Sequence, residues 1–190
     1  EIIKQVHNGP GAARNAGARH ANGDILVFVD ADMTFSPDFL EQLVMPIIEG
    51  KSKGTFTKNE QVSNWENPWA RCWNYNQGLN SNRRIPVDYP DSAPVFRAIL
   101  KSEFNRVGGF DLETGWTDDW TLSRKLGFLS TTTQALCFHK NPDTLREIFL
   151  QARWIGKNEF FIKSVTRKLW NIIKHSLVIS AISGIYKTIK

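Results

Sequence analysis

The chain has 190 residues, 41% hydrophobic and 23% charged, with a formal net charge of +5; that is enough apolar material for one globular core and excludes a disordered tail. Two cysteines, Cys72 and Cys137, stand far apart without a Cys or His at ligand spacing, which excludes a disulfide framework and a zinc site and fits a reducing, cytoplasmic setting. Residues 144–190 hold nine Lys/Arg against two Asp/Glu, a net +7, leaving −2 on residues 1–143; with no recognition motif either, nucleic acid is excluded as a partner.

In chain order, Glu1-Ile2-Ile3-Lys4 lacks the basic-then-apolar pattern of a secretory signal, and residues 2–6 suffice only for one short strand. Residues 12–21, rich in Ala and Arg, predict a helix stopped by Asn22-Gly23. The apolar run over 24–29 reads as a buried parallel strand with Asp30-Ala31-Asp32 at its C-terminal end. Ser36-Pro37 predicts an N-cap and first helical position ahead of an apolar face of Phe39, Leu40, Leu43, Val44 and Ile47.

A strand is expected over 54–58, a helix over 68–79 and a strand over 93–98. Trp65, Trp69 and Trp73 recur every four residues and are expected to pack along one helix face. Residues 101–107 form a short helix closed by Gly108-Gly109; a helix over 119–126, a strand over 132–138 and helical sequence from 144, broken near 164–166, complete the pattern. Alternating helices and strands without repeats define an α/β chain. The apolar stretch 177–186 is about half of the ~20 residues that span a bilayer.

Chemistry begins at Asp30 and Asp32. Carboxylates at the mouth of an α/β sheet lie where such folds place ligands, and their hard oxygens suit Mg2+ or Mn2+, which bridge a diphosphate and offset charge on a departing nucleotide. Upstream, Gly9-Pro10-Gly11-Ala12-Ala13-Arg14-Asn15-Ala16-Gly17 leads through Ala21-Asn22-Gly23-Asp24 into the strand. Together with Val29-Asp30-Ala31-Asp32 this closely resembles the signature of family 2 glycosyltransferases. The resemblance implies the GT-A fold, a mixed, mainly parallel sheet flanked by helices, and nucleotide-sugar contacts from Arg14, Asn15, Asp30 and Asp32, with Asp30 and Asp32 also serving the metal.

Further along, Val107-Gly108-Gly109-Phe110-Asp111 followed by Gly115-Trp116-Thr117-Asp118-Asp119-Trp120 resembles the Gly-Gly-Phe-Asp segment of that family and its Glu-Asp motif, with Asp118 in place of Glu. Inverting transfer needs a base for the acceptor hydroxyl; by motif position it is Asp119, with Asp118 beside it. Trp116 and Trp120 are placed to stack on a sugar. Arg97 follows Val95-Phe96 as in the Phe-Arg of the family and is expected to orient acceptor or phosphate. Gln151-Ala152-Arg153-Trp154 is similar to the Gln-x-x-Arg-Trp motif of processive members but one residue short, and Trp154-Ile155-Gly156-Lys157 is similar to the Arg-Trp-x-Gly of non-processive ones. Arg153 is expected at the diphosphate and Trp154 at the acceptor. His139, at a strand end, is a further expected metal ligand.

The resemblance covers roughly residues 9–157 and starts late: the first strand, helix and acidic strand end of the family have no counterpart here. The expected organisation is therefore a partial GT-A domain over 1–160, lacking its first βαβ part, with an exposed sheet edge, weak stability and no turnover in isolation. A basic amphipathic tail follows over 161–190. Its Trp170, Ile173, Leu177 and Ile179 among Lys168, Lys174, Lys187 and Lys190 suit peripheral contact with the inner face of a membrane and a glycan or lipid-linked acceptor. The alternatives are an inactive glycan- or lipid-binding relative and a nucleotidyltransferase. The glycine-rich phosphate loop of the latter, with its basic residue, has no match here.

Overall fold

A computed structural model describes residues 1–112, 118–158 and 166. The chain divides into two units, Glu1–Glu159 and Phe160–Lys190, and the first holds the core. Residues 1–8 carry no regular secondary structure, and Ile2 and Val6 are exposed. The elements then run α1 (Gly9–His20), β1 (Ile25–Val27), β2 (Met33–Phe35), α2 (Phe39–Ile48), β3 (Gly54–Thr57), β4 (Glu60–Val62) and α3 (Pro68–Asn76). They continue with β5 (Ser92–Ala93), β6 (Ala98–Leu100), α4 (Lys101–Arg106), α5 (Asp118–Leu126), β7 (Ser130–Thr133), β8 (Cys137–His139) and α6 (Leu145–Asn158).

Five strands form one sheet in the order β1-β6-β3-β7-β5, and three form a smaller sheet in the order β2-β8-β4. Both are mixed. In them β3 with β7 and β4 with β8 are parallel, whereas β1 with β6, β3 with β6, β5 with β7 and β2 with β8 are antiparallel. Strand β1, expected to be parallel to its neighbour, lies against β6 because the chain returns in the opposite direction after the excursion through α3.

The two-residue alternation of strands sorts the core onto the two sheet faces. Leu26 and Ile99 point to one face, with Ala18, Phe104, Phe110, Leu122 and Leu126 from the α1, α4 and α5 side. Ile25, Val27, Ala98 and Leu100 point to the other, where Phe39, Leu43 and Ile47 of α2 cover them. Helices thus protect both faces, as a two-sided apolar strand requires. Fully buried aliphatic and aromatic side chains such as Leu43, Ile99 and Phe104 each contribute about 1.5–3 kcal/mol by leaving water.

Several predicted boundaries shift for local reasons. The N-cap position of α2 is Asp38, without a side-chain capping bond, and not Ser36; Ser36 Oγ–H donates to Asp38 Oδ1 at 2.6 Å and Ser36 O accepts from Phe39 N–H at 3.0 Å, a turn that delays the helix. The expected strand 93–98 is two strands, β5 against β7 and β6 between β1 and β3, with Arg97 O accepting from Phe28 N–H at 2.8 Å and Arg97 N–H donating to Thr55 O at 2.9 Å just ahead of β6. The expected strand 132–138 likewise divides into β7 and β8, which belong to different sheets. Trp65, Trp69 and Trp73 do not form a buried stripe: Trp65 precedes α3, Trp69 is exposed, and the helix buries Ala70 and Asn74 instead. Among the described residues no helix is long and apolar enough to cross a membrane; the expected tail helix, Thr166 excepted, lies outside the described residues.

Candidate active site

The Asp30-Ala31-Asp32 segment is a tight turn, closed by Met33 N–H donating to Asp30 O at 3.3 Å, and it sends its two carboxylates in different directions. Asp30 faces two guanidinium groups. Its Oδ1 accepts from Arg14 Nη2 at 3.2 Å and its Oδ2 from Arg97 Nη1 at 2.9 Å. Burial pushes the Asp30 carboxyl up, but Arg97 and then Arg14 outweigh it and hold the carboxyl below its ordinary range. Asp32 instead lies beside His139, with Oδ1 3.2 Å from Nε2.

His139 occupies the middle strand of the small sheet, so it has a carboxylate on each flank. The β2 side supplies Asp32, because Met33 and His139 are register partners. The β4 side supplies Glu60, whose Oε1 is 2.7 Å from Nδ1. Glu60 also accepts from Arg97 Nη2 at 3.4 Å and is ion-paired with Arg84, Oε1 to Nε 3.2 Å. Burial raises the Glu60 carboxyl, yet hydrogen bonding from His139 and the charges of Arg97 and Arg84 bring it down to about 2. It is therefore ionised and only accepts, so the hydrogen between Glu60 and His139 resides on Nδ1. Arg97 is held charged against burial by Glu60 and Asp30. Burial lowers Arg84 from its usual value, and its backbone N–H is fixed to Glu60 O at 2.9 Å.

A buried amide network anchors the segment after His139. Asn141, 1% exposed, donates to Ala70 O at 3.1 Å and to Asn74 Oδ1 at 3.0 Å, while its backbone is gripped by the Asn64 side chain at 2.8 and 3.0 Å. Cys137 is buried and its thiol is pushed up to about 12 by burial, so it packs and does not react.

Two cavities adjoin at this cluster. One, of about 600 Å3, is walled by the first turns of α1 (Gly9, Pro10, Ala13, Arg14) together with Asp30. The other, of about 880 Å3, is walled by Trp73, Leu79, Pro86, Leu150 and Ile155. Asp32, Arg84, His139, Gln151 and Trp154 line both.

The donor set accommodates a small divalent cation at the boundary. Neighbouring ligands of an octahedral ion at ~2.1 Å lie about 3.0 Å apart, close to the 3.2 Å between Asp32 Oδ1 and His139 Nε2. A neutral imidazole with its hydrogen on Nδ1 would face Asp32 Oδ1 with the Nε2 lone pair, an arrangement that a cation would relieve. Among the described residues no group of three or more His, Cys, Asp or Glu that could hold a metal occurs, and the donors at this point are the pair Asp32 and His139. That leaves positions for phosphate oxygens and water, the habit of Mg2+. Asp30, expected with the metal set, is committed to the two arginines.

Other expected residues divide as follows. Arg14, Arg97 and Trp154 are at the cluster or its cavities. Asn15 is engaged elsewhere: Nδ2 donates to Phe110 O and Oδ1 accepts from Phe110 N–H, both at 2.9 Å. Arg153 is exposed and lines neither cavity, since one helical step separates it from Trp154; Gln151 takes the wall position instead. Trp120 is 58% exposed and lines neither cavity. Asp118 and Asp119 form the first turn of α5, with side chains outside the described residues, as is all of Trp116. Glu60 and Arg84 are not predicted by the sequence, since both lie in polar stretches without an apolar period, and only the burial of Glu60 and Val62 in β4 brings them out.

Residues 1–104 match the family model described as Glycosyl transferase family 2. The pre-mycofactocin glycosyltransferase of Mycobacterium tuberculosis (strain H37Rv) is 29% identical over 173 residues, covering 85% of this chain and 35% of that protein. The probable N-acetylgalactosaminyltransferase 9 of Caenorhabditis elegans is 31% identical over 132 residues, 59% of this chain and 23% of that one. The chain thus spans about a third of the length of the mycobacterial relative it matches. Among solved structures, S. aureus TarS 1-349 gives a TM-score of 0.48 at 18% identity, over 80% of this chain and 46% of that chain.

Proposed function

This chain belongs to glycosyl transferase family 2, and on that premise we propose that it serves transfer of a sugar from a nucleoside-diphosphate sugar to an acceptor hydroxyl, with inversion at the anomeric carbon. The observation that carries this reading is the meeting of Asp32 and His139 at the boundary of two cavities, one lined by Arg14, Arg84 and the start of α1 and one with several apolar walls. A Mg2+ or Mn2+ ion held by Asp32 and His139 would neutralise charge on the diphosphate leaving group. Arg14, together with the N-terminus of α1, offers further donors to the same oxygens. Asp30 and Arg97 orient Arg14 and do not bind the ion. Trp73 and Trp154 give the acceptor cavity aromatic walls suited to a sugar face or an apolar aglycone.

Inversion takes a single displacement, with the hydroxyl entering opposite the nucleotide and losing its proton to a carboxylate. We assign that base to Asp119, at the start of α5, with Asp118 beside it. The test is turnover of a panel of nucleoside-diphosphate sugars by purified protein, with and without Mn2+. Asp32→Ala is expected to abolish the dependence on the divalent ion together with the activity. Asp119→Asn is expected to lower transfer about 10²–10⁴-fold while donor binding persists. Glycan binding without any response to a divalent ion or to Asp32→Ala would reject the proposal in favour of an inactive relative.

A further inference from the structure

The motifs that mark the site do not include Glu60, yet this residue touches His139, Arg84 and Arg97 through its carboxylate. It is 7% exposed, and its two oxygens take His139 Nδ1 at 2.7 Å, Arg84 Nε at 3.2 Å and Arg97 Nη2 at 3.4 Å. A neutral imidazole has one donor and one acceptor nitrogen, and of the two carboxylates beside the ring Glu60 is the nearer and the more buried, 2.7 Å from Nδ1 against 3.2 Å from Nε2 for Asp32, so the hydrogen goes to Nδ1. We infer that Glu60 is the positioning residue of the cation site: it holds the hydrogen of His139 on Nδ1 and so presents the Nε2 lone pair to an ion shared with Asp32. This rests on the reading of Asp32 and His139 as the cation pair.

The geometry supports a device specific to that task. Glu60 and His139 come from the adjacent parallel strands β4 and β8, so a rigid sheet sets the carboxylate-to-ring distance. Arg97 donates to the oxygen that His139 does not face and Arg84 lies ion-paired beside the other, so the carboxylate is held from both ends. Arg84 is doubly tied, by its side chain and by its backbone N–H to Glu60 O at 2.9 Å. Arg97 carries the connection on to Asp30, so one buried carboxylate orders residues on both sides of the cation pair. Outer partners of metal-bound histidines hold ring orientation and basicity in this manner, and their loss typically costs 10–100-fold in metal affinity.

The experiment uses the full chain, 15N-labelled, in two arms. The first reads the imidazole tautomer of His139 in metal-free protein at about pH 8.5, above the ordinary imidazole range, from long-range 1H–15N correlations assigned with His139→Asn. Wild type is expected to be the Nδ1–H tautomer, and Glu60→Gln, with a single contested oxygen, to show a mixture. The second titrates Mn2+ alone by calorimetry, where Glu60→Gln is expected to weaken binding about 10-fold or more. An Nε2–H tautomer in wild type, or an unchanged tautomer and unchanged Mn2+ affinity in Glu60→Gln, overturns the inference. Should Glu60→Gln fail to fold, the wild-type tautomer still decides. Mn2+ binding that is indifferent to Asp32→Ala and His139→Asn would instead overturn the cation pair itself, leaving the tautomer comparison to judge Glu60 separately.

Discussion

Asn15 offers the sharpest test of how this site is built, because the family signature points it at the nucleotide and the structure turns it into the core. Its amide closes a two-bond clasp on Phe110, with both bonds at 2.9 Å. Phe110 is 3% exposed and sits in an aromatic trio with Phe28 and Phe104, centroids 5.2 and 5.4 Å away. Asn15→Ala would therefore leave a backbone N–H and a backbone C=O without partners in the core. Each unsatisfied group costs about 1–3 kcal/mol, so the variant should lose roughly 2–4 kcal/mol, a large share of a typical 5–15 kcal/mol. Urea unfolding followed by circular dichroism reads this as a lower midpoint at unchanged slope. Asn15→Asp should be comparably damaging, since one of its oxygens would face Phe110 O. A stability within about 0.5 kcal/mol of wild type combined with weakened donor binding would refute the clasp and restore Asn15 to the nucleotide.

Other consequences follow from the same contacts. Gly109 has φ +75°, and a Cβ there would lie 2.5 Å from Asn15 Oδ1 and 3.0 Å from the Phe104 ring; Gly109→Ala should cost about 2 kcal/mol or more by unfolding midpoint, through left-handed strain and loss of the clasp. Glu60 has its folded carboxyl lowered from 4.5 to about 2, so its contribution is complete above the unfolded value and fades as pH falls through the folded one. Linkage gives about 3 kcal/mol at pH 6 and a loss of about 2 kcal/mol between pH 6 and pH 3. The stability gap between wild type and Glu60→Gln should shrink by that amount, and parallel pH curves would contradict it.

Local pattern was sufficient for much of the fold. The Ala-rich run gave α1, the apolar run gave β1, and the i, i+3, i+4 spacing of Phe39, Leu43 and Ile47 gave the buried face of α2. The short strands β2 and β4 were not legible, because three polar or mixed residues carry no periodicity and owe their strand geometry to pairing with β8. Arg97 and His139 were legible as site residues only through motif resemblance; Glu60 and Arg84, which complete their environment, lie in polar stretches that look like solvated loop.

By itself the sequence determined the family, the α/β class and the presence of an acidic pair at a strand end, since these are written in residues adjacent along the chain. Tertiary structure alone decided which carboxylate does what: Asp30 is taken by Arg14 and Arg97, and Asp32 is left to His139. A charge acquires its role from partners tens of residues away, whose distances are set by sheet register and by burial that makes every unpaired ion costly.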